Sequence, residues 1–525
     1  MQQSVQKTIR RQCQIKAMNN ELLPDIYKKY SINFIGIFVA LFLAAILYSY
    51  QITGDLYGDE VGHTYKVVAA EDFWSVIKND IIIHPPFYFV LAKYSRDIVG
   101  KDWAIRIPSL LFSLGTILFI TLAVRRYIDN KYMLYAAFLA TFSPFLLEFA
   151  AEGRPYAMMI FFSVAFIWFF LKFLEEENVK SMLFLGMTAL CGALTHYLFW
   201  PLLVAIAIYY ISVKRRVSKY AFGAFTMVAV IIIPLGVYLF LVPKVQYAGY
   251  VQDTWAKNYF NIPNFLSRLV IAINFGYSTF NLPQLDPGRN VTVAVLKENW
   301  LLISSSLFSL SGIFFSLVRL ARKGEKRFWF FLICLVVPLV LGLGAGMSGK
   351  TLLREKHLAV IWAPYFFLLI MALGYLVQSR TGKVVIICYA AVVAVSLFHY
   401  IAFPNEYTRR MDWTGLNSTL TKDVQADDLV VIYTKNIKHL SLGKMNVLDS
   451  DIKQVAIQTE RPAGLSLSDY VRQLDKAVHG SIYLISHEEQ RMVVDPENEA
   501  YRLLKDMRNG SEKRFGRNLI LYVFK

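Results

Sequence analysis

Uncharged apolar blocks of bilayer length constrain this chain more than any other feature. Residues 32–50 carry no charge, and about 20 apolar residues suffice to cross the hydrocarbon core as a helix. Comparable blocks cover roughly 104–124, 132–149, 155–173, 182–196, 198–213, 220–242, 299–318, 328–346, 358–377 and 383–402. Together they predict an all-α polytopic membrane protein with about eleven transmembrane helices. Phe87–Leu91 reads as part of a further dipping or spanning helix. With 56% hydrophobic and 18% charged residues among 525, the chain is too apolar for an ordinary soluble enzyme. A basic lead precedes the first block and no small-residue cleavage site follows it, so that block reads as a retained helix rather than a cleaved signal.

The net charge of +17 invites a nucleic-acid partner, but its distribution argues for none. After Phe403 there are 18 Lys/Arg against 17 Asp/Glu, a net +1, so +16 lies in the membrane part. Much of it sits in short connections: Lys7 to Lys29, Arg125-Arg126, Lys214-Arg215-Arg216, Arg319–Arg327 and Arg380/Lys383. With the spans above, every cluster falls on one side, which the positive-inside bias places in the cytoplasm. Residues 1–31 are then a cytoplasmic segment and 32–402 the membrane domain of a plasma or inner membrane protein. The loops 51–103 and 243–298, the turns at Glu152–Arg154 and His196, the Lys350–His357 connection and the tail 403–525 face outward.

Three of the four cysteines lie in spans and Cys13 in the basic lead, so no disulfide staples the tail. The tail reads as a small extracytoplasmic α/β domain. "DLVVIYT" (428–434), "GSIYLIS" (480–486) and "NLILYVF" (518–524) are apolar runs of strand length. "LSDYVRQLDKAV" (467–478) has helical spacing, with Ser468 as its cap. Nothing in the tail groups like a catalytic site, so it reads as a domain that covers or contacts an acceptor.

Four polar clusters fall on the outward side. "YGDE" (57–60) sets Asp59 and Glu60 beside a membrane helix, where two carboxylates either cap a helix, meet solvent or do chemistry. "HPPFYF" (84–89) fixes the backbone after His84 with two prolines, as a helix start requires. "EFAAEGRPYAM" (148–158) places Glu152, Arg154 and Tyr156 in a tight turn, where an arginine often only snorkels to the interface. "GKTLLREKHL" (349–358) gathers Lys350, Arg354, Lys356 and His357 against the positive-inside bias, which points to an anionic partner such as lipid phosphate. Asp59, Glu60, His63 and His84 could hold a divalent cation, but their spacing matches no compact metal signature. Metal and cofactor are therefore left open.

Taken in order, these motifs resemble the multi-pass C-fold glycosyltransferases that use a lipid-phosphate sugar donor. Protein O-mannosyltransferases, lipid A aminoarabinose transferases and the Rgt-like bacterial proteins are among them. The likeness rests on "DE" in the first external loop, "HPP-aromatic" at the next helix and the "RPYA" turn, across roughly residues 30–200. It weakens toward Arg354. The resemblance implies Asp59 as catalytic base, with Glu60 as its neighbour or substitute. It implies His84, Arg154 and Tyr156 along the donor site. Lys350, Arg354 and His357 are assigned to phosphate more on charge and topology than on motif.

The residue types suit that chemistry. A sugar on polyprenyl phosphate already carries a good leaving group, so the site needs a base near the acceptor hydroxyl and cations near the departing phosphate. One displacement would invert the anomeric centre through an oxocarbenium-like state. The acceptor expected is an outward cell-envelope glycan, lipid or protein. The rival readings are a transporter or flippase, a ligase or polymerase of lipid-linked polysaccharide, with Arg268 and Arg289 as its loop arginines, and a membrane scaffold. No paired halves support the first.

Overall fold

The computed structural model describes residues 33–50, 52–56, 59–70, 72–74, 85–241, 262–276, 299–347, 354–403, 411–433, 453–487, 494–495, 497–515 and 519–525. Among them, eight helices are long and apolar enough to cross a membrane. A ninth span is the pair Asn130–Thr141 and Pro144–Ala150, bent by 54°. Its break has a local cause. Ser143 leaves the helical region and its hydroxyl accepts the Leu146 N–H at 3.4 Å, while Pro144 opens the second half with no N–H to lose.

Two further expected spans form shorter apolar helices, Asn33–Ser49 and Val179–Ala193. All eleven expected blocks are therefore helical, and the protein is an integral, multi-pass membrane protein. Phe87–Leu91 belongs to an amphipathic helix, Phe87–Val99, capped by Pro86 and ended by Gly100 in the left-handed region. Within the expected loop 243–298, residues 262–275 form the helix Ile262–Phe275. Pro263 lies in its first turn, so there it starts regular structure rather than breaking it.

The two ends of the bundle differ in chemistry. At one end Arg126 pairs with Glu175 at 2.6 Å and Lys214 with Glu177 at 3.2 Å, joining the basic ends of two helices to the acidic end of a third. The other end carries the Glu152–Pro155 turn and the carboxylates of the first loop. Between them runs a large apolar core, in which the helix Tyr156–Glu176 buries Phe166, Phe170 and Phe173.

The tail folds as expected in kind, with more elements. Five strands, β1 (Leu429–Ile432), β2 (Lys453–Ala456), β3 (Ile482–His487), β4 (Gly510–Arg514) and β5 (Leu519–Phe524), pair in the order β2-β1-β3-β5-β4. β2, β1 and β3 are parallel, and β5 is antiparallel to both β3 and β4. Leu429, Val431, Ile482 and Leu484 face the helices Leu467–Lys476 and Glu499–Met507. Val430, Ile432, Tyr483 and Ile485 face the helix Trp413–Asp423. Burial on both faces explains the unbroken apolar runs of the central strands. The cap of Leu467–Lys476 is Ser466, which accepts the Asp469 N–H at 3.0 Å, and not Ser468, whose hydroxyl bonds Glu499.

Candidate active site

An arginine that no motif pointed to organises the first loop. Arg106 is 1% exposed, in the one-turn helix Asp102–Arg106 that leads into the span Ile107–Tyr127. Its guanidinium grips Glu60 through two bonds, Nε to Oε1 at 2.7 Å and Nη2 to Oε2 at 2.6 Å. It also donates to the carbonyls of Ile52, Gly54 and Asp55 at 2.7–2.8 Å. A planar five-donor fork suits this work, and an ammonium does not. Glu60 is fully buried and additionally accepts the Gly153 N–H at 2.6 Å. Arg106 and Glu60 thus tie the first loop to the "RPYA" turn.

That turn is locked from its other side as well. Tyr88, in the helix after "HPP", donates to the Ile105 carbonyl at 2.9 Å and shares a hydrogen bond with Ser109 at 2.7 Å. Ser109 in turn donates to the Arg154 carbonyl at 3.2 Å.

On this frame the first and third clusters meet the fourth. Asp59 Oδ2 is in direct contact with Lys356 Nζ, and Arg154 Nη1 donates to the Asp59 carbonyl at 3.3 Å. The Asp59 side chain keeps 35% of its surface exposed, while Lys356 and Arg154 are each 3% exposed. Beneath both cations lies the buried ring of Tyr156, 5.8 Å from Arg154 and 5.6 Å from Lys356. Its ring centroid is 5.7 Å from that of His196 and 6.2 Å from that of His357. The Tyr156 hydroxyl is buried with no hydrogen-bond partner among the described residues. Burial pushes the His63 imidazole down to about 3, Arg154 and Lys356 push the same way, and Asp59 opposes them. Burial, then Arg154, likewise pushes His196 down to about 3. Both enter the site as neutral hydrogen-bonding groups at physiological pH.

Asp59, Glu60, Arg154, Tyr156 and His357 therefore gather at one end of the bundle, while His84 and Lys350 lie outside the described residues. Both Glu60 oxygens accept from Arg106 or the turn, whereas the Asp59 carboxylate keeps part of its surface exposed. Arg354 directly precedes the short 3₁₀ helix Glu355–Ile361, and its N–H donates to His357 Nδ1 at 3.1 Å. From this segment it is Lys356, two residues on, that reaches Asp59. Arg268 pairs with Glu355 at 2.5 Å, which brings the helix Ile262–Phe275 against the same segment. Among the described residues no group of three or more His, Cys, Asp or Glu is placed to hold a metal ion.

Residues 83–238 match the family model for dolichyl-phosphate-mannose-protein mannosyltransferase. The fold is similar to ArnT from Cupriavidus metallidurans in the apo state, with a TM-score of 0.54 over 94% of this chain and 98% of that one, at 9% identity. It is also similar to the same protein bound to undecaprenyl phosphate, with a TM-score of 0.50, 10% identity and coverage of 93% and 97%. The chain shares the fold of these membrane proteins, and a mannosyltransferase family model matches part of it. The oligosaccharyltransferase of Archaeoglobus fulgidus gives a TM-score of 0.49 at 12% identity, over 91% of this chain and 73% of that one. No curated protein matches the chain by sequence.

The close approach of turn and loop depends on Gly153. A Cβ there would sit 2.8 Å from Ile105 Cγ1 and 3.1 Å from Glu60 Oε1. Gly153→Ala should therefore destabilise by about 1–3 kcal/mol, the usual cost of overpacking. Thermal unfolding in detergent reads this directly, and a wild-type midpoint would mean that the loop yields without cost.

Proposed function

We propose that this protein is a C-fold membrane glycosyltransferase that transfers a sugar from a polyprenyl-phosphate donor to an acceptor hydroxyl outside the cytoplasm, by one inverting displacement. The observation that carries the reading is the convergence of Asp59, Arg154 and Lys356 from three remote segments. The acceptor oxygen attacks the anomeric carbon as the bond from that carbon to the phosphate oxygen breaks. The acceptor proton passes to the Asp59 carboxylate, and polyprenyl phosphate leaves with the bonding pair. Arg154 and Lys356 lie where they can offset the charge that grows on the phosphate. Tyr156, with its buried and unsatisfied hydroxyl, offers a further donor to phosphate or sugar. The similarity to a protein bound to undecaprenyl phosphate supports this class of donor. The basic ends at the opposite end of the bundle support an outward-facing site and tail.

The test is transfer from labelled polyprenyl-phosphate sugars by the purified protein in lipid nanodiscs, with envelope glycan, lipid and peptide acceptors. Arg154→Lys should raise the donor KM about tenfold, because Lys cannot make a planar two-point contact to phosphate. An unchanged donor KM would remove Arg154 from the phosphate site. Absence of transfer from any polyprenyl donor would overturn the reading as a whole.

A further inference from the structure

We infer that Asp55 is a positioning residue through which the C-terminal domain holds the loop that carries Asp59. The inference rests on the reading of Asp59 as base. Asp55 Oδ2 accepts the backbone N–H of Thr414 at 2.8 Å, and Oδ1 accepts the Thr414 hydroxyl at 2.9 Å. Thr414 lies in the first turn of the helix Trp413–Asp423. The first N–H groups of a helix have no partner within it, and a carboxylate there also meets the positive end of the helix dipole. The membrane domain thus supplies an acid to a helix end of the soluble domain.

Both sides of this contact are anchored. In the C-terminal domain, the Asp412 side chain caps the same helix by accepting the Gly415 N–H at 2.7 Å. The Asp412 N–H donates to the Phe515 carbonyl at 2.7 Å, next to the end of β4. Trp413 is buried, its ring parallel within 5° to that of His487 on β3. Thr414 therefore moves only with the sheet. On the membrane side, the Asp55 carbonyl accepts from Arg106 Nη2 at 2.8 Å, and the same nitrogen donates to Glu60. Glu60 is the next residue after Asp59. A continuous line of hydrogen bonds runs from Thr414 through Asp55, Arg106 and Glu60 to the Gly153 N–H of the "RPYA" turn.

The contact is exposed, so its contribution to global stability is small. Its effect is on placement, and reacting groups tolerate little misplacement. A shift of about 1 Å costs on the order of a hundredfold in rate. This also gives the C-terminal domain a role in catalysis that needs no catalytic residue of its own.

The experiment uses full-length protein in nanodiscs. Asp55→Ala should lower kcat about 10- to 100-fold, with the donor KM changed by no more than about threefold, since the lost term is made at the reacting centre. Thr414→Ser keeps both donors and should retain the wild-type kcat. Hydrogen exchange of residues 52–68 should rise in Asp55→Ala and not in Thr414→Ser, with the spans still protected. Wild-type kcat and exchange in Asp55→Ala would overturn the proposal. So would loss of protection spread over the spans, which would make Asp55 a fold residue. Exchange needs no donor, so raised exchange in a protein with no transfer activity would uphold the coupling and overturn the glycosyl reading alone.

Discussion

Asp59→Asn should lower turnover by roughly 10²–10⁴-fold, the range for a positioned general base. Asparagine keeps the shape of aspartate and can still accept from Lys356 through its amide oxygen, but it cannot take up the acceptor proton. The Asp59 side chain is partly exposed and its backbone is held by Arg154, so the loop should keep its course. One secondary effect has to be separated from the loss of the base. Lys356 is 3% exposed, and in the variant its charge has no anionic contact at Asp59. Lys356→Met, with Asp59 intact, isolates that effect and should act mainly on the donor KM. Single-turnover transfer with matched, monodisperse preparations reads both. Near-normal turnover in Asp59→Asn would eliminate the base assignment and leave the Asp59–Lys356 pair as an orienting contact.

The membrane part was legible because each span carries its own signal. A helix in lipid satisfies its backbone internally, so an uncharged block of the right length needs no knowledge of its neighbours. Asp59 and Arg154 stood out for the same reason, as polar groups beside apolar blocks. Arg106 did not. "DWAIR" reads as an ordinary helix entry, and its partner Glu60 lies 46 residues earlier, a pairing no local pattern encodes. Lys356 was visible as one of four cations, but which of them reaches Asp59 depends on the phase of one short helical turn. In the tail, the central strands were plain, while β4 (GSEKR) was not. It is exposed along its whole length, as a charged edge strand often is, so it lacks an apolar signature. The convergence of remote loops had to come from the fold.

The largest expected loss of structure comes from separating Glu60 and Arg106. Burying two charges costs several kcal/mol each, and the pair offsets this only while its geometry is complete. Here it is complete, with two short bonds between the side chains and the remaining donors on three loop carbonyls. Removing one partner leaves the other charged and buried, at a cost of about 3–5 kcal/mol. Glu60→Ala and Arg106→Ala should therefore each lower the thermal midpoint and abolish detectable transfer, because the Asp59 loop loses its anchor. Arg106→Lys should behave nearly as badly, since one ammonium cannot span five acceptors. The double variant Glu60→Met/Arg106→Met separates charge from geometry. It removes both buried charges and should recover much of the lost stability. It leaves the carbonyls of Ile52, Gly54 and Asp55 without their donor, so activity should stay low while the midpoint rises. Wild-type midpoints in the single variants would show that water reaches this pair and that the loop is held elsewhere. Full activity in the double variant would end the claim that the arginine fork places Asp59.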